Sequence, residues 1–227
     1  MISFVPTPIG NREDITLRAL ETLKDADFIA CEDTRHSKRL LLHHGIDRPL
    51  ISLHDHNEAQ RIPELIDKVS AGHNIAVISD AGTPLVSDPG YRLMQACLEN
   101  GIDYTVLPGP SAVITALAGS GMPCHAFQFD GFLPVKKGKR KKLLLQGLLS
   151  AKTVMYFESP HRLLSTLKIL SEIAPAAAVC VARELSKKFE TYHRGSALEV
   201  YDEFSNKQAK GEIVLLINGT SAEIKED

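Results

Sequence analysis

A chain of 227 residues is long enough to bury its own core and fits one large domain or two small ones. Its 26 basic and 28 acidic side chains leave a net charge of −2, so any nucleic-acid contact must come from a local patch and not from the global field. The N-terminus lacks a signal peptide's basic start and apolar run, and no stretch approaches the roughly 18 apolar residues of a membrane span, so the sequence reads as cytoplasmic with no membrane contact.

The four cysteines, Cys31, Cys97, Cys124 and Cys180, are far apart and form no CxxC pair. They read as small buried hydrophobes in a reducing compartment, with no metal site.

Short apolar runs alternate with longer amphipathic segments. In chain order, strands are predicted at Ile2–Val5, Phe28–Cys31, Asn74–Ser79, Tyr104–Leu107, Thr153–Phe157, Ala178–Ala182 and Ile213–Ile217. Helices are predicted at Glu13–Ala26, Ser37–His44, Glu58–Ala71, Tyr91–Asn100, Ser111–Ala118, Lys139–Leu149 and Pro160–Ile173. This alternation predicts an α/β fold with a largely parallel sheet in the first half. The glycine- and proline-containing stretch Gly119–Phe132 reads as a linker, giving one α/β domain over 1–119 and a second over 120–227. After Ala182 the sequence reads as a hairpin, with arms at Lys188–His193 and Ala197–Phe204 joined at Arg194-Gly195, and implies a mixed sheet in the second domain. The polar end, Thr220–Asp227, is expected to fray.

Three glycine/proline loops follow predicted strands of the first half: Val5–Asn11, Ser79–Gly90 and Leu107–Ala112. In an open parallel sheet, ligands bind beyond the carboxyl ends of the strands. Small residues there let backbone amides approach a ligand, and prolines hold the loop shape. Neither GxGxxG nor GxxxxGK[ST] is present, so the loops suit a small ligand other than a dinucleotide or a P-loop nucleotide.

The blocks VPTPIGNREDIT, CEDTRHSKRLLLHHGI, SDAGTPLVSDPGYRL, LPGPSAVITAL, FESPHRLLSTL, ARELSKKFE and GEIVLLI resemble, in order, the signature blocks of the tetrapyrrole-methylase-like superfamily. More closely they resemble its RsmI branch, the ribosomal RNA small subunit methyltransferase I family. The resemblance implies two small α/β domains with S-adenosylmethionine folded in a cleft between them, and a homodimer. Carried over by motif, it assigns Ile9, Ala81, Gly82, Thr83, Val86, Ser111 and Ala112 to the cofactor from the first half, and Phe157 and Ala182 from the second. The implied reaction is methylation of the ribose 2′-hydroxyl of cytidine 1402 in 16S rRNA of the small ribosomal subunit. Chains of this branch usually continue past the GEIVLLI block into a helical extension, which this sequence does not carry.

Methyl transfer from a sulfonium is an in-line displacement in which the protein mainly aligns donor and acceptor. The polar run Glu32-Asp33-Thr34-Arg35 directly follows an apolar strand at the expected ligand edge. Asp33 or Thr34 also suits a helix cap. Arg35 is read as holding a substrate phosphate or carboxylate, with Asp33 orienting it or acting as base. Glu158 and Glu184 follow strands of the second half and complete the candidate catalytic set, with Arg183 and Lys187 beside them. His36, His54 and His161 read as structural. Lys136–Lys142 carries six positive charges in seven residues, and Lys136, Lys137, Lys139 and Arg140 are read as RNA contacts together with Arg183 and Lys187. Two other readings stay open here: a methylase of a small molecule such as a tetrapyrrole, and a non-catalytic cofactor- or RNA-binding module.

Overall fold

The computed structural model describes residues 1–219, so the expected fraying of Thr220–Asp227 lies outside the described residues. The predicted alternation resolves into two five-stranded sheets, one in each of two compact units, Met1–Ser111 and Ala112–Asp227.

In the first unit, β1 (Ile2–Phe4), β2 (Phe28–Cys31), β3 (Leu50–Ser52), β4 (Ile75–Ile78) and β5 (Tyr104–Val106) form a wholly parallel sheet in the order β3-β2-β4-β1-β5. β2 and β4 are continuous apolar runs because both faces are covered. Their alternating side chains divide the core in two. Ile29, Cys31, Ala76 and Ile78 pack with Ala19 and Leu23 of α1 (Leu17–Asp25) and Leu41 of α2 (Thr34–His43). Ala30, Ile75 and Val77 pack with Leu65 and Val69 of α3 (Glu58–Ser70) and with Leu93 and Cys97 of α4 (Tyr91–Glu99). Since all five strands run one way, their carboxyl ends share one edge, and the loops after them emerge there together.

The second unit runs α5 (Ala112–Ser120), β6 (Phe127–Phe132), α6 (Lys137–Leu149), β7 (Thr153–Glu158), α7 (Pro160–Ile173), β8 (Ala178–Arg183), β9 (Thr191–Ser196), α8 (Ala197–Ser205) and β10 (Ile213–Asn218). Its sheet, β6-β7-β10-β8-β9, is mixed: β6 and β7 are parallel and the other neighbours antiparallel. Leu144 and Leu148 of α6, Leu163, Leu167 and Leu170 of α7, and Val200 and Phe204 of α8 join the inward faces of the strands in one core. Among the described residues, no helix is long and apolar enough to cross a membrane.

Several details differ from the sequence reading. The stretch read as a linker contains β6. The second arm of the expected hairpin is helix α8, and β9 pairs with β8 instead. Ser196 and Glu199 form a capping box, in which each side chain meets the other residue's backbone N–H, and this starts the helix. The compact units part at Ser111/Ala112, at the other end of α5 from the 119/120 boundary read from the sequence. The Arg194 guanidinium donates to the Ser120 carbonyl at 2.9 Å and to that of Gly119, and the Tyr192 hydroxyl donates to Thr115 O at 3.3 Å, so β9 holds α5 in the second unit. Cys31, Cys97 and Cys180 are buried, but Cys124 is exposed, because it sits in the turn ahead of β6.

Gly147 lies inside α6, where alanine would ordinarily gain up to ~1 kcal/mol of helix propensity. Here a Cβ would stand 2.3 Å from the hydroxyl of fully buried Tyr156 and 3.1 Å from Ile217 Cδ1. Overpacking outweighs propensity, so Gly147→Ala should destabilise the chain by about 1–3 kcal/mol. Urea titration measures this; a variant as stable as the parent would show that the close contact does not exist.

Candidate active site

Three adjacent strands, β4, β1 and β5, deliver the three glycine/proline loops to one edge. The loops are bonded to each other. Thr7 N–H donates to Gly82 O at 2.9 Å and Gly82 N–H donates back to Thr7 O at 2.9 Å. The buried Thr7 hydroxyl donates to Ser79 O at 3.1 Å, and Thr83 Oγ1 donates to Pro110 O at 3.1 Å. The result is a cradle of backbone drawn from all three loops.

Gly82 sits at its centre with φ 82°, a left-handed conformation that suits glycine, and a Cβ there would meet Ile9 Cγ2 at 3.4 Å. Ile9 is buried, Thr83 half-buried, and Ala81 and Val86 exposed. Leu85 and Ser87 also have positive φ, at 76° and 65°. Strained non-glycine backbone of this kind costs of order 1–3 kcal/mol per residue and collects at functional sites. Ser111 ends the third loop, Ala112 opens α5, and both are half-buried.

The neighbouring loops bring carboxylates to the same edge. Glu32 and Asp33 follow β2, Asp55 follows β3, and Asp80 and Asp88 follow β4. Asp80 Oδ1 accepts the Asp33 N–H at 3.2 Å. Burial raises the Glu32 carboxyl, and Asp80, Asp88, Asp55 and Asp33 raise it further. Burial pushes Asp88 up to about 6; a Ser79 hydrogen bond works against this, while Asp80 and Asp55 add to it. Asp33 goes the other way. It caps α2, accepting the N–H groups of Arg35 at 2.8 Å and His36 at 3.3 Å, and these bonds hold its carboxyl below the ordinary range. That makes it a weaker base and a better orienting group. The Arg35 side chain is 92% exposed, with Nε 3.7 Å from Asp33 Oδ1, so its guanidinium is open to a ligand. It borders an open depression also lined by Lys38 and Arg48.

In the second unit, several candidate residues are already engaged. Glu158 is buried: its Oε1 accepts from Arg162 Nη2 at 2.7 Å and from Ser159 N–H at 2.7 Å, and its Oε2 accepts from the Thr166 hydroxyl at 2.6 Å. Arg162 in turn donates to Leu133 O at 3.0 Å. This network fixes the start of α7 against the end of β6. Glu184, at φ 51°, accepts the Glu212 N–H at 3.0 Å and pairs with Lys187 at 3.1 Å. The Glu212 amide holds the Glu184 carboxyl below its ordinary range, and Lys187 adds to that. Lys187 also reaches Glu212 at 3.1 Å, and Arg183 Nε donates to Lys210 O at 2.9 Å. These four side chains brace the loop after β8.

Lys136, Lys137 and Lys139 are exposed at the start of α6, as an RNA contact requires. Arg140 differs from the sequence reading: it is 5% exposed and donates to Ser165 Oγ at 3.1 Å, because its place in the helix turns it onto α7. Ala182 is fully buried between its strand neighbours. The Phe157 ring is half-buried, 4.8 Å from that of Phe129 and 5.2 Å from that of Phe132.

Sequence reasoning missed Asp80, Asp88 and Glu58. Both aspartates flank the cradle within the SDAGTPLVSDPG block, so a count of carboxylates beside the glycine loop would have found them. Glu58 is buried and accepts the N–H groups of Gly90 at 3.1 Å and Leu93 at 3.4 Å, supplying α4 with the cap that Gly90 lacks a side chain to give. Nothing in its local sequence separates it from an ordinary first-turn acid.

The fold, with its cradle at the carboxyl edge of a parallel sheet, is that of tetrapyrrole methylases. It is shared with the structure of diphthine synthase (TM-score 0.74, 12% identity, covering 96% of this chain and 89% of that one). It is shared equally with the methyltransferase CobJ (0.72, 18%, 99% and 96%) and with uroporphyrin-III C-methyltransferase from Thermus thermophilus in complex with S-adenosylhomocysteine (0.66, 18%, 95% and 96%). A family model described as Tetrapyrrole (Corrin/Porphyrin) Methylases matches residues 1–201. Curated relatives named ribosomal RNA small subunit methyltransferase I include those of Escherichia coli O157:H7 (48% identical, covering 96% of this chain and 78% of the relative) and Vibrio cholerae (46%, 96% and 77%). The Thermotoga maritima relative is 44% identical and matched over 96% of its own length. The chain belongs to the tetrapyrrole methylase family, in its ribosomal RNA small subunit methyltransferase I branch, and is a methyltransferase.

The raised Asp88 carboxyl makes stability depend on pH. Its folded-state pKa of about 6 lies above the ordinary 3.8, so the folded chain holds this proton more tightly than the unfolded chain. Its contribution is therefore fully favourable below about pH 4 and is lost as pH rises through about 6. Asp88→Asn should be more stable than the parent above pH 6, with the gap closing toward pH 4. Urea midpoints across that range test this, and parallel pH profiles for the two chains would refute it.

Proposed function

We propose that the chain transfers a methyl group from S-adenosylmethionine to the ribose 2′-hydroxyl of cytidine 1402 in 16S rRNA of the small ribosomal subunit. The observation that carries this reading is the bonded three-loop cradle. It offers glycine backbone that a ligand can approach closely, a buried apolar wall in Ile9, and polar groups at Thr83 and Ser111. Those residues fit the small, folded donor, and Gly82, with φ 82°, holds a backbone conformation that a side chain there would strain. The surrounding carboxylates make the edge negative, which suits a cationic sulfonium.

In this reading Ile9, Ala81, Gly82, Thr83, Val86, Ser111 and Ala112 hold the donor, and Phe157 and Ala182 are assigned to it by motif. S-adenosylmethionine supplies an electrophilic methyl group when bound. The chain's contribution is alignment. Arg35 holds a phosphate of the substrate, offsetting the negative edge, and Asp33 fixes the Arg35 backbone through its cap. Lys136, Lys137 and Lys139 take further phosphates. Glu158, Glu184, Arg183 and Lys187 act through the loops they brace. The reading places the chain in the cytoplasm with the ribosome, as a homodimer.

Two measurements test it. Calorimetry with S-adenosylmethionine should show one-site binding; no binding would end the proposal. Tritium transfer from labelled donor should occur to small subunits that lack the modification and not to tetrapyrrole precursors, with the reverse pattern favouring a small-molecule methylase. For Arg35→Ala we expect unchanged donor binding and kcat/KM on subunits lowered roughly ten- to hundredfold, the size of a lost charge-assisted hydrogen bond. Unaltered turnover would remove Arg35 from the substrate site.

A further inference from the structure

The second sheet has an edge whose surface is unusual for a folded domain. The register pairs Phe132 with Phe157, and both Glu158 and Arg183 with Ile213. The ends of β6, β7 and β8 therefore lie level with the starts of β10 and β9. Three side chains beyond this edge are exposed: Phe132 at 62%, Phe189 at 65% and Val135 at 78%. No other large apolar side chain among the described residues of this unit is as exposed; Leu149 comes next at 60% and lies at the opposite edge, ahead of β7. Isolated exposed apolar groups are ordinary, but here three project from the same edge of one sheet, spread across its width.

Phe189 is not exposed through slack backbone. The loop that carries it is closed by Lys187 N–H to Glu184 O at 3.0 Å, Glu190 N–H to Lys187 O at 3.1 Å and Ser186 N–H to Glu190 Oε2 at 2.6 Å. Phe132 is propped by the Phe157 ring. Both rings are held out into water by braced structure, and cations accompany both. Lys136 and Lys137 follow Val135 directly and Phe132 by four and five residues, and Lys188 Nζ lies 5.6 Å over the Phe189 ring. Rigid aromatic faces alternating with lysines match the chemistry of a single-stranded nucleic acid, whose bases stack on rings while its phosphates pair with cations. An apolar protein partner would match the rings but would leave the lysines without counter-charges. From β6 to β9 the edge spans four strand spacings, about 19 Å, enough for several nucleotides.

We propose that Phe132 and Phe189 form a base-stacking platform, with Val135 against the apolar face of a base and Lys136, Lys137 and Lys188 on the phosphates, which takes an unpaired stretch of RNA. This rests on the RNA reading above and adds to it how the substrate is gripped: by stacking on unpaired bases as well as by charge.

The test is fluorescence anisotropy with a labelled single-stranded RNA of roughly twelve nucleotides, within the range such surfaces cover, titrated at several salt concentrations. Phe132→Ala and Phe189→Ala should each weaken binding roughly 5- to 150-fold with an unchanged salt slope, and Phe189→Trp should bind like the parent. Lys136→Ala with Lys137→Ala should flatten the slope. Alanine variants at the two rings that bind as tightly as the parent, while the lysine variant still flattens the slope, would overturn the platform and leave the RNA reading standing. If the parent binds neither this RNA nor small ribosomal subunits, the RNA reading itself fails. A Phe189→Ala chain with unchanged RNA affinity but a smaller mass in sedimentation velocity would mean that the edge is a contact between copies, and would also overturn the platform.

Discussion

The reciprocal pair of backbone hydrogen bonds between Thr7 and Gly82 is the constraint on which the site depends. The two residues lie far apart in sequence and meet only because β1 and β4 are neighbours in a parallel sheet. Antiparallel strands would send their following loops to opposite edges. Once Thr7 and Gly82 are joined, the Thr83 hydroxyl reaches Pro110 and brings in the third loop. Positive φ at Gly82, Leu85 and Ser87 then follows from the need to turn the chain back toward α4 in few residues. The strain is held by the buried sheet beneath and by Glu58, which fixes the amides of Gly90 and Leu93 at the loop's far end.

Charge in this chain falls into two populations. One is committed to the fold: Glu58 to α4, Glu158 with Arg162 to the start of α7, Glu184 with Lys187 and Glu212 to the loop after β8, and Arg194 to the carboxyl end of α5. The other is exposed: Arg35 beside the carboxylate edge of the first unit, and Lys136, Lys137, Lys139 and Lys188 around the projecting rings of the second. A net charge near zero conceals this division. Within the exposed population two cations stand close to a group that orients them, a capping aspartate for Arg35 and an aromatic face for Lys188.

Much of this was legible in the sequence. Strands such as Phe28–Cys31 and helices such as Pro160–Ile173 announce themselves, through unbroken apolar runs and through a Ser-Pro helix start. The three glycine loops point to the ligand edge without further help. β3 escaped because a three-residue strand between a proline and the polar His54-Asp55-His56 run makes too short a signal, and β6 escaped because its glycine and exposed aromatics read as a linker. The helix at Ala197–Ser205 was readable from Ser196 and Glu199 and from the i, i+4 spacing of Val200 and Phe204, but the turn signal at Arg194-Gly195 favours a hairpin in the sequence alone. The engagement of Glu158, Glu184 and Arg140 was beyond reach, since their partners lie on other elements and no local pattern marks a long side chain as buried. For the same reason the sequence could not show that Phe132 and Phe189, fifty-seven residues apart, share an edge.

The strand order of the first sheet also governs how the chain matures as it is made. β1 is synthesised before the other strands of its sheet, yet its partners are β4 and β5, which begin at Ile75 and Tyr104. At bacterial and eukaryotic elongation rates of about 5–20 residues per second, the opening apolar strand waits roughly 4–15 seconds for its first neighbour. During that time β2 and β3 can pair with each other but not with β1. The sheet therefore closes from its flank toward its centre, and the cradle forms last, when the residues after β5 arrive. Until then the nascent unit has a partial core and no binding edge, so the donor cannot assist folding in the early stages and can stabilise only the finished unit.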